Sequence, residues 1–224
     1  MKKPVKVILT IAILIIALLV GFFVFGSSAS SSSSCNTVKK PVIYVYNYTD
    51  DPSVVVSVTD KTDGKLGLEY PRSSKGTWLI KADENGNITY KNRQYNYLYW
   101  EDEAVLDVDF SKGFCVPGKE TASFLEGALD ELGLTDAEAD DFITYWLPQL
   151  VENDYNLITF NPPEYEKQYK LASAPKADNI IRVFMAYTPS KEYVDVEPQR
   201  LGAYNTYDRT GITLVEWGGA EITK

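Results

Sequence analysis

Twenty consecutive residues, Val7 to Gly26, carry no charge and are mostly Ile, Leu, Val, Phe and Ala. Wound as a helix at about 1.5 Å per residue, such a run covers roughly the 30 Å hydrocarbon core of a bilayer. Lys2, Lys3 and Lys6 precede it, and no Lys or Arg occurs after it until Lys39. The positive-inside bias then predicts a cytoplasmic N-terminus (1–6), one transmembrane anchor (7–26) in the cell membrane, and an extracytoplasmic remainder. The competing reading is a signal sequence cleaved near Ala29, where Ser27, Ser28 and Ala29 supply small residues, with a secreted product. Both readings export the rest of the chain. Lipid attachment at Cys35 is disfavoured, because a serine run separates that residue from the apolar stretch.

Residues 27–34 are seven Ser and one Ala. Such a segment has no apolar area to bury against its ordering entropy, so 27–37 is read as a linker and 38–224 as the exported domain. With the three leading lysines set aside, 19 basic residues face 31 acidic ones. That surface repels nucleic acid and anionic lipid, which leaves the N-terminal helix as the only membrane contact and a glycan or another exported protein as the partner. Cys35 and Cys115 are the only cysteines. In an oxidising compartment an even count predicts one disulfide, closing a loop of about 80 residues for roughly 4 to 5 kcal/mol in the chain-entropy model.

Residues 41–118 read as strands and turns. Val42–Tyr46 and Ser53–Thr59 are dense in β-branched and aromatic residues. Asp63-Gly64 before Leu66–Tyr70 is a hairpin signal, and Asp83–Asn87 separates Thr77–Lys81 from Ile88–Lys91 as a second hairpin. Gln94–Trp100 comes next as a sixth strand. The period then changes. Phe124, Leu125, Ala128, Leu129 and Leu132 share one helical face, and Phe142, Ile143, Trp146, Leu147 and Leu150 repeat that spacing. Gly133 ends the first helix, Thr135 with Glu138 forms a capping box for the second, and Pro148 is expected to stop or kink it near Trp146. Strand character returns at 156–160, 180–187 and 212–217. The fold class expected is therefore α+β: an antiparallel, strand-rich, sandwich-like exported domain with an inserted amphipathic helical pair at about 120–153, preceded by one transmembrane helix.

The chain has no histidine, which removes histidine-based triads and the commonest zinc ligands. No cofactor and no metal site is expected. Asp83–Asn87 departs from a calcium loop in its glycine position and lacks an acid at the twelfth place. Asp136, Glu138, Asp140 and Asp141 read as the solvated face of the second helix. Glu101 and Glu216, each beside a tryptophan at a strand end, are the candidate acids for glycoside hydrolysis. Tyr95, Tyr97 and Tyr99 alternate, which places three rings on one face of a strand with Trp100 on the other. Together with Trp217 these are the candidate binding residues, set against the plainer reading of cross-strand aromatic packing.

Several strings carry a resemblance together: Lys40-Pro41-Val42-Ile43-Tyr44-Val45-Tyr46, Tyr97-Leu98-Tyr99-Trp100-Glu101, Gly113-Phe114-Cys115-Val116, Tyr145-Trp146-Leu147-Pro148, Tyr155-Asn156-Leu157-Ile158, Arg182-Val183-Phe184-Met185 and Val215-Glu216-Trp217-Gly218-Gly219. In these the chain resembles an uncharacterised family of exported bacterial proteins that opens with a Lys-Pro-Val-Ile-Tyr-Leu-Tyr-Pro-like segment. Asn47 stands where that pattern has Pro. The resemblance implies one continuous exported domain over residues 40–219 in a bacterial envelope, and it transfers no site residues. The expected function is a membrane-tethered binding or interaction module, with a carboxylate-dependent glycan hydrolase using Glu101 and Glu216 as the alternative.

Overall fold

The computed structural model describes residues 36–60, 66–202 and 209–223. In chain order these form β1 (Asn36–Asn47), β2 (Ser53–Asp60), β3 (Leu68–Tyr70), β4 (Thr77–Ala82), β5 (Ile88–Tyr90), β6 (Arg93–Tyr95), β7 (Leu98–Ala104) and β8 (Lys112–Pro117). Two helices, α1 (Thr121–Glu131) and α2 (Asp136–Leu150), precede β9 (Tyr155–Phe160). The short α3 (Pro163–Gln168) leads to β10 (Tyr169–Ala174), β11 (Asn179–Ser190), β12 (Glu197–Pro198) and β13 (Ile212–Glu221).

One sheet has eight strands in the order β12-β8-β9-β11-β13-β1-β7-β3, and a second has five in the order β10-β2-β4-β5-β6. Alternation along β1 shows how the layers form. Ile43 and Val45 point into a core shared with Val54, Val56, Trp78 and Ile80 of the five-stranded sheet. Val42 and Tyr44 point the other way, against Leu125, Leu129, Phe142 and Trp146 of the helices. The large sheet is thus the middle layer, with helices on one face and the second sheet on the other. This accounts for the unbroken burial of β13 from Ile212 to Ala220, the pattern of a strand covered on both faces.

Several expectations are corrected. The large sheet is mixed, because β11 and β13 run parallel over nine paired positions from Asn179↔Thr213 to Tyr187↔Glu221. The transmembrane helix is no part of the described fold: among the described residues no helix is long and apolar enough to cross a membrane, and 7–26 lies outside them. Leu68–Tyr70 does not form a hairpin with β2, since β3 pairs with β7 and β2 pairs with β4 and β10. Asp63-Gly64 itself lies outside the described residues. The stretch Gln94–Trp100 is two strands in different sheets, with the chain crossing between them at Asn96 and Tyr97. The expected Cys35–Cys115 bridge involves a residue outside the described ones; among the described residues there is no disulfide, and the Cys115 sulfur accepts the Val194 N–H at 3.3 Å.

The helical pair forms where the apolar period places it. Gly133 adopts φ +87°, a conformation that costs an L side chain about 1 to 2 kcal/mol, and turns α1 into the next loop. Thr135 caps α2 with both hydrogen bonds of a capping box in place. Pro148 does not stop the helix near Trp146; α2 continues to Leu150 and the Val151 N–H still reaches the Leu147 carbonyl at 2.9 Å. So close to the helix end the proline removes a single backbone bond, and burial of Leu150 holds the last turn in place.

Candidate functional site

The helices cover the large sheet only part-way. Towards the β7 and β3 edge one face is left open, and an aromatic cleft of about 430 Å³ lies there, lined by Lys40, Tyr70, Tyr97, Tyr99, Glu101 and Tyr145. Its centre is built by an irregularity in β1. Lys39 pairs with Gly219 and Val42 with Trp217, so Lys40 and Pro41 together face the single residue Gly218. The register towards β7 shifts across the same stretch. This is a β-bulge, and it re-aims the side chain it carries. Lys40 takes φ +54°, in the left-handed region that lysine rarely visits, and its backbone N–H is held by Glu101 Oε1 at 3.0 Å.

Gly218 makes the bulge sterically feasible, since a Cβ there would sit 3.0 Å from both Cα and Cγ of Pro41. Gly219 serves the other face, where a Cβ would lie 2.6 Å from the Met185 carbonyl and 2.8 Å from the Trp146 ring. The Lys-Pro pair on one strand and the Gly-Gly pair on its neighbour are therefore two halves of one construction.

The bulge directs the Lys40 ammonium into the cleft. Nζ lies 5.3, 5.6 and 5.5 Å from the ring centroids of Tyr97, Tyr99 and Tyr145, within cation–π range of all three. Among the described residues it donates one hydrogen bond, a long one, to Tyr97 Oη at 3.5 Å. Tyr44 meets the Tyr97 ring edge-on at 5.5 Å and donates its hydroxyl to Asp141 at 2.7 Å, which braces the cleft against α2. Burial, then the neighbouring Glu101 carboxylate, raises the Tyr99 and Tyr145 phenols above their ordinary range, so both remain neutral donors.

The sequence-predicted residues separate. Tyr97, Tyr99 and Glu101 come together in this cleft. Tyr95 ends β6 in the other sheet and packs edge-on against Tyr70 at 5.7 Å, so the three rings do not form one ladder. Trp100 and Trp217 are fully buried, on opposite faces of the large sheet. Glu216 is 1 % exposed in the core between the sheets, where it accepts the Trp100 indole N–H at 3.3 Å and pairs with Arg182 at 2.6 Å. Because Trp100 points to Glu216 and the next residue, Glu101, points to the cleft, the two acids lie on opposite faces of the sheet. Sequence reasoning missed Lys40, Tyr70 and Tyr145. A Lys-Pro step inside a strand run was the one available signal for the bulge, since proline in a central strand implies an irregular ladder.

No family model and no solved structure matches the chain. It is 32% identical over 78 residues to a protein of Butyrivibrio fibrisolvens described as "Uncharacterized protein in bglA 3'region", an alignment that covers 35% of this chain and 80% of that protein. The chain belongs to that protein's family. The relative's description names no activity, so the roles of residues here rest on their geometry.

Two other features contrast with the cleft. A larger depression of about 690 Å³ lies along β8, bordered by Phe114, Cys115, Phe124 and Tyr193. Its backbone shows no counterpart to the left-handed lysine, and none of the predicted binding residues borders it. The second feature is the helix acid Glu138, which is buried rather than solvated as expected. It takes both guanidinium arms of Arg209 at 2.8 and 2.7 Å, the Tyr46 hydroxyl at 2.7 Å and the Thr135 N–H at 2.8 Å. Burial opposes its ionisation, but the bonds from Arg209 and Thr135 outweigh that and hold the carboxyl below the ordinary glutamate range.

A group with a depressed native pKa stabilises above its unfolded value, near 4.3, and loses that contribution as pH falls through the native value. Denaturant melts between pH 7 and pH 3 are therefore expected to show a steeper acid loss in the parent than in Glu138→Gln. Parallel curves for the two proteins would contradict this role.

Proposed function

We propose that this chain is an extracytoplasmic glycan-binding module whose ligand contacts the tyrosine cleft around Lys40. The observation that carries the reading is the convergence of Tyr97, Tyr99 and Tyr145 on one lysine ammonium in an open cleft, beside the Glu101 carboxylate. Aromatic faces stack on the C–H faces of sugars, the ammonium donates to ring hydroxyls, and the carboxylate accepts from them. A volume of about 430 Å³ falls in the lower part of the range for small-ligand sites, which suits one or two sugar rings. Export is supported by the apolar run at 7–26 with lysines only ahead of it. The acidic balance weighs against nucleic acid as the partner.

Binding is favoured over hydrolysis by the placement of Glu101 and Glu216 on opposite faces, since both hydrolytic geometries need two carboxyls flanking one glycosidic bond about 5 to 10 Å apart. Glycan-array binding by the full-length chain in mild detergent, repeated with Tyr97→Ala and Tyr99→Ala, tests the reading. Each substitution is expected to weaken binding about tenfold, the scale of one aromatic contact, while thermal melting confirms that the fold persists. Retention of full affinity by both variants would remove the cleft from the account.

A further inference from the structure

The depression of about 690 Å³ along β8 lies at the edge of the large sheet opposite β3, far from the tyrosine cleft in the strand order. The hydrogen bonds of β8 show what its outer side offers. Its register against β9 runs from Phe114↔Ile158 to Pro117↔Tyr155, and one step further the Gly118 N–H reaches the Asp154 carbonyl at 3.2 Å. Main-chain groups alternate in direction along an antiparallel strand, so the even-numbered residues of β8 turn theirs to β9 and the odd-numbered ones turn theirs to the sheet edge. Two observations agree. The Glu197 N–H meets the Ser111 carbonyl from the edge side at 3.0 Å, and Pro117, which has no N–H to offer, falls on an odd position.

Most of the outward groups are occupied. β12 pairs with Lys112 and Gly113 and ends there, and the Pro117 carbonyl takes the Thr121 hydroxyl at 3.3 Å. Between them the N–H and carbonyl of Cys115 face outward, and among the described residues nothing takes either. The chain that passes beside them, 191–196, does not close the gap, because its Val194 N–H goes to the Cys115 sulfur instead. A main-chain donor and acceptor side by side on a strand edge are a template for another strand. The walls of the groove suit one. Phe114 and Phe124, 4.9 Å apart, flank the edge on the helix side. Tyr193, 62% exposed and held against Tyr155 at 6.1 Å, stands on the other with Val196.

We infer that this groove takes an extended, apolar segment of a second protein, added to β8 as one more strand with a single residue bonded to both main-chain groups of Cys115. The side chain of that residue faces Tyr193 and Val196, and its two neighbours face Phe114 and Phe124, so all three positions favour apolar side chains. A free segment fits where a second copy of this chain does not: pairing β8 with its own copy about Cys115 would set Pro117 where the copy's β12 already lies. The inference is independent of the glycan reading, since the two sites lie at opposite edges of the sheet.

The test selects a random nonapeptide phage library on the full-length chain in mild detergent, then measures one enriched peptide and its N-methyl scan in solution. Enriched peptides are expected to share a run of three apolar residues. N-methylation at the middle of that run should weaken binding about tenfold or more and at its two neighbours much less, the alternation of strand pairing. Amide exchange at Cys115 should be fast in the free protein and slow at least about tenfold with peptide bound. Tyr193→Ala, on the surface, should weaken binding about tenfold with thermal melting unchanged. Failure to enrich any peptide, enrichment without the apolar run, indifference to the site of N-methylation, or a Cys115 amide unchanged at saturation would overturn the inference.

Discussion

Trp217→Ala is expected to cost about 3 to 5 kcal/mol of folding stability, the range for truncating a fully buried tryptophan. The ring is 0% exposed, packs edge-on against Phe142 at 5.3 Å and lies where β13 meets the helical layer. Its indole N–H is buried and finds no hydrogen-bond partner among the described residues, so packing and not a polar contact is what the ring contributes. Removing the ring opens a cavity at the junction of the two elements that position the cleft. Chemical denaturation should show a midpoint shift of that size with an unchanged slope. A shift under about 1 kcal/mol with lost glycan binding would return Trp217 to the binding face.

Arg182→Ala is the second large effect, also about 3 to 5 kcal/mol, because it leaves Glu216 buried and uncompensated. Arg182 Nε and Nη2 both approach Glu216 Oε2 at 2.6 Å, and Nη1 donates to the Tyr169 carbonyl at 3.2 Å. The guanidinium also stacks 4.9 Å over the Tyr165 ring. The pair joins β11 and β13 in the core between the sheets, where breaking one partner costs more than removing both. A double variant, Arg182→Met with Glu216→Met, is therefore expected to recover much of the loss. Equal destabilisation by the single and double variants would contradict this account of the pair.

Both predictions concern residues that stood out in the sequence for a different reason. Glu216 beside Trp217 read as an acid at a strand end, and its pairing was hidden because Arg182 is 34 residues away in the chain and becomes a neighbour only through the parallel β11 and β13 ladder. Local signals fared better. The capping box at Thr135 and Glu138, the turn at Asp83–Asn87 and the α2 face of Phe142 and Trp146 all depend on residues within a few positions of one another. What failed was long-range: the alternation of Tyr95, Tyr97 and Tyr99 is real, but a chain crossing between sheets at Asn96 breaks it in space.

The candidate site was half legible for the same reason. Tyr97, Tyr99 and Glu101 lie within five residues of one another and were grouped together, whereas Lys40 and Tyr145 arrive from β1 and α2. Lys40 enters because the bulge turns it, and Tyr145 enters because Trp146 anchors its turn of the helix against Gly219. The glycines of the Val215–Gly219 string thus act through packing, one against Pro41 and one against Trp146.

The most direct test tracks the resonances of an isotopically labelled protein while a glycan selected on the array is titrated in. The account predicts shifts concentrated at Lys40, Tyr97, Tyr99, Glu101 and Tyr145, with Phe114, Phe124 and Tyr193 undisturbed. Shifts centred instead on the β8 depression, or no shifts at saturating ligand, would contradict it.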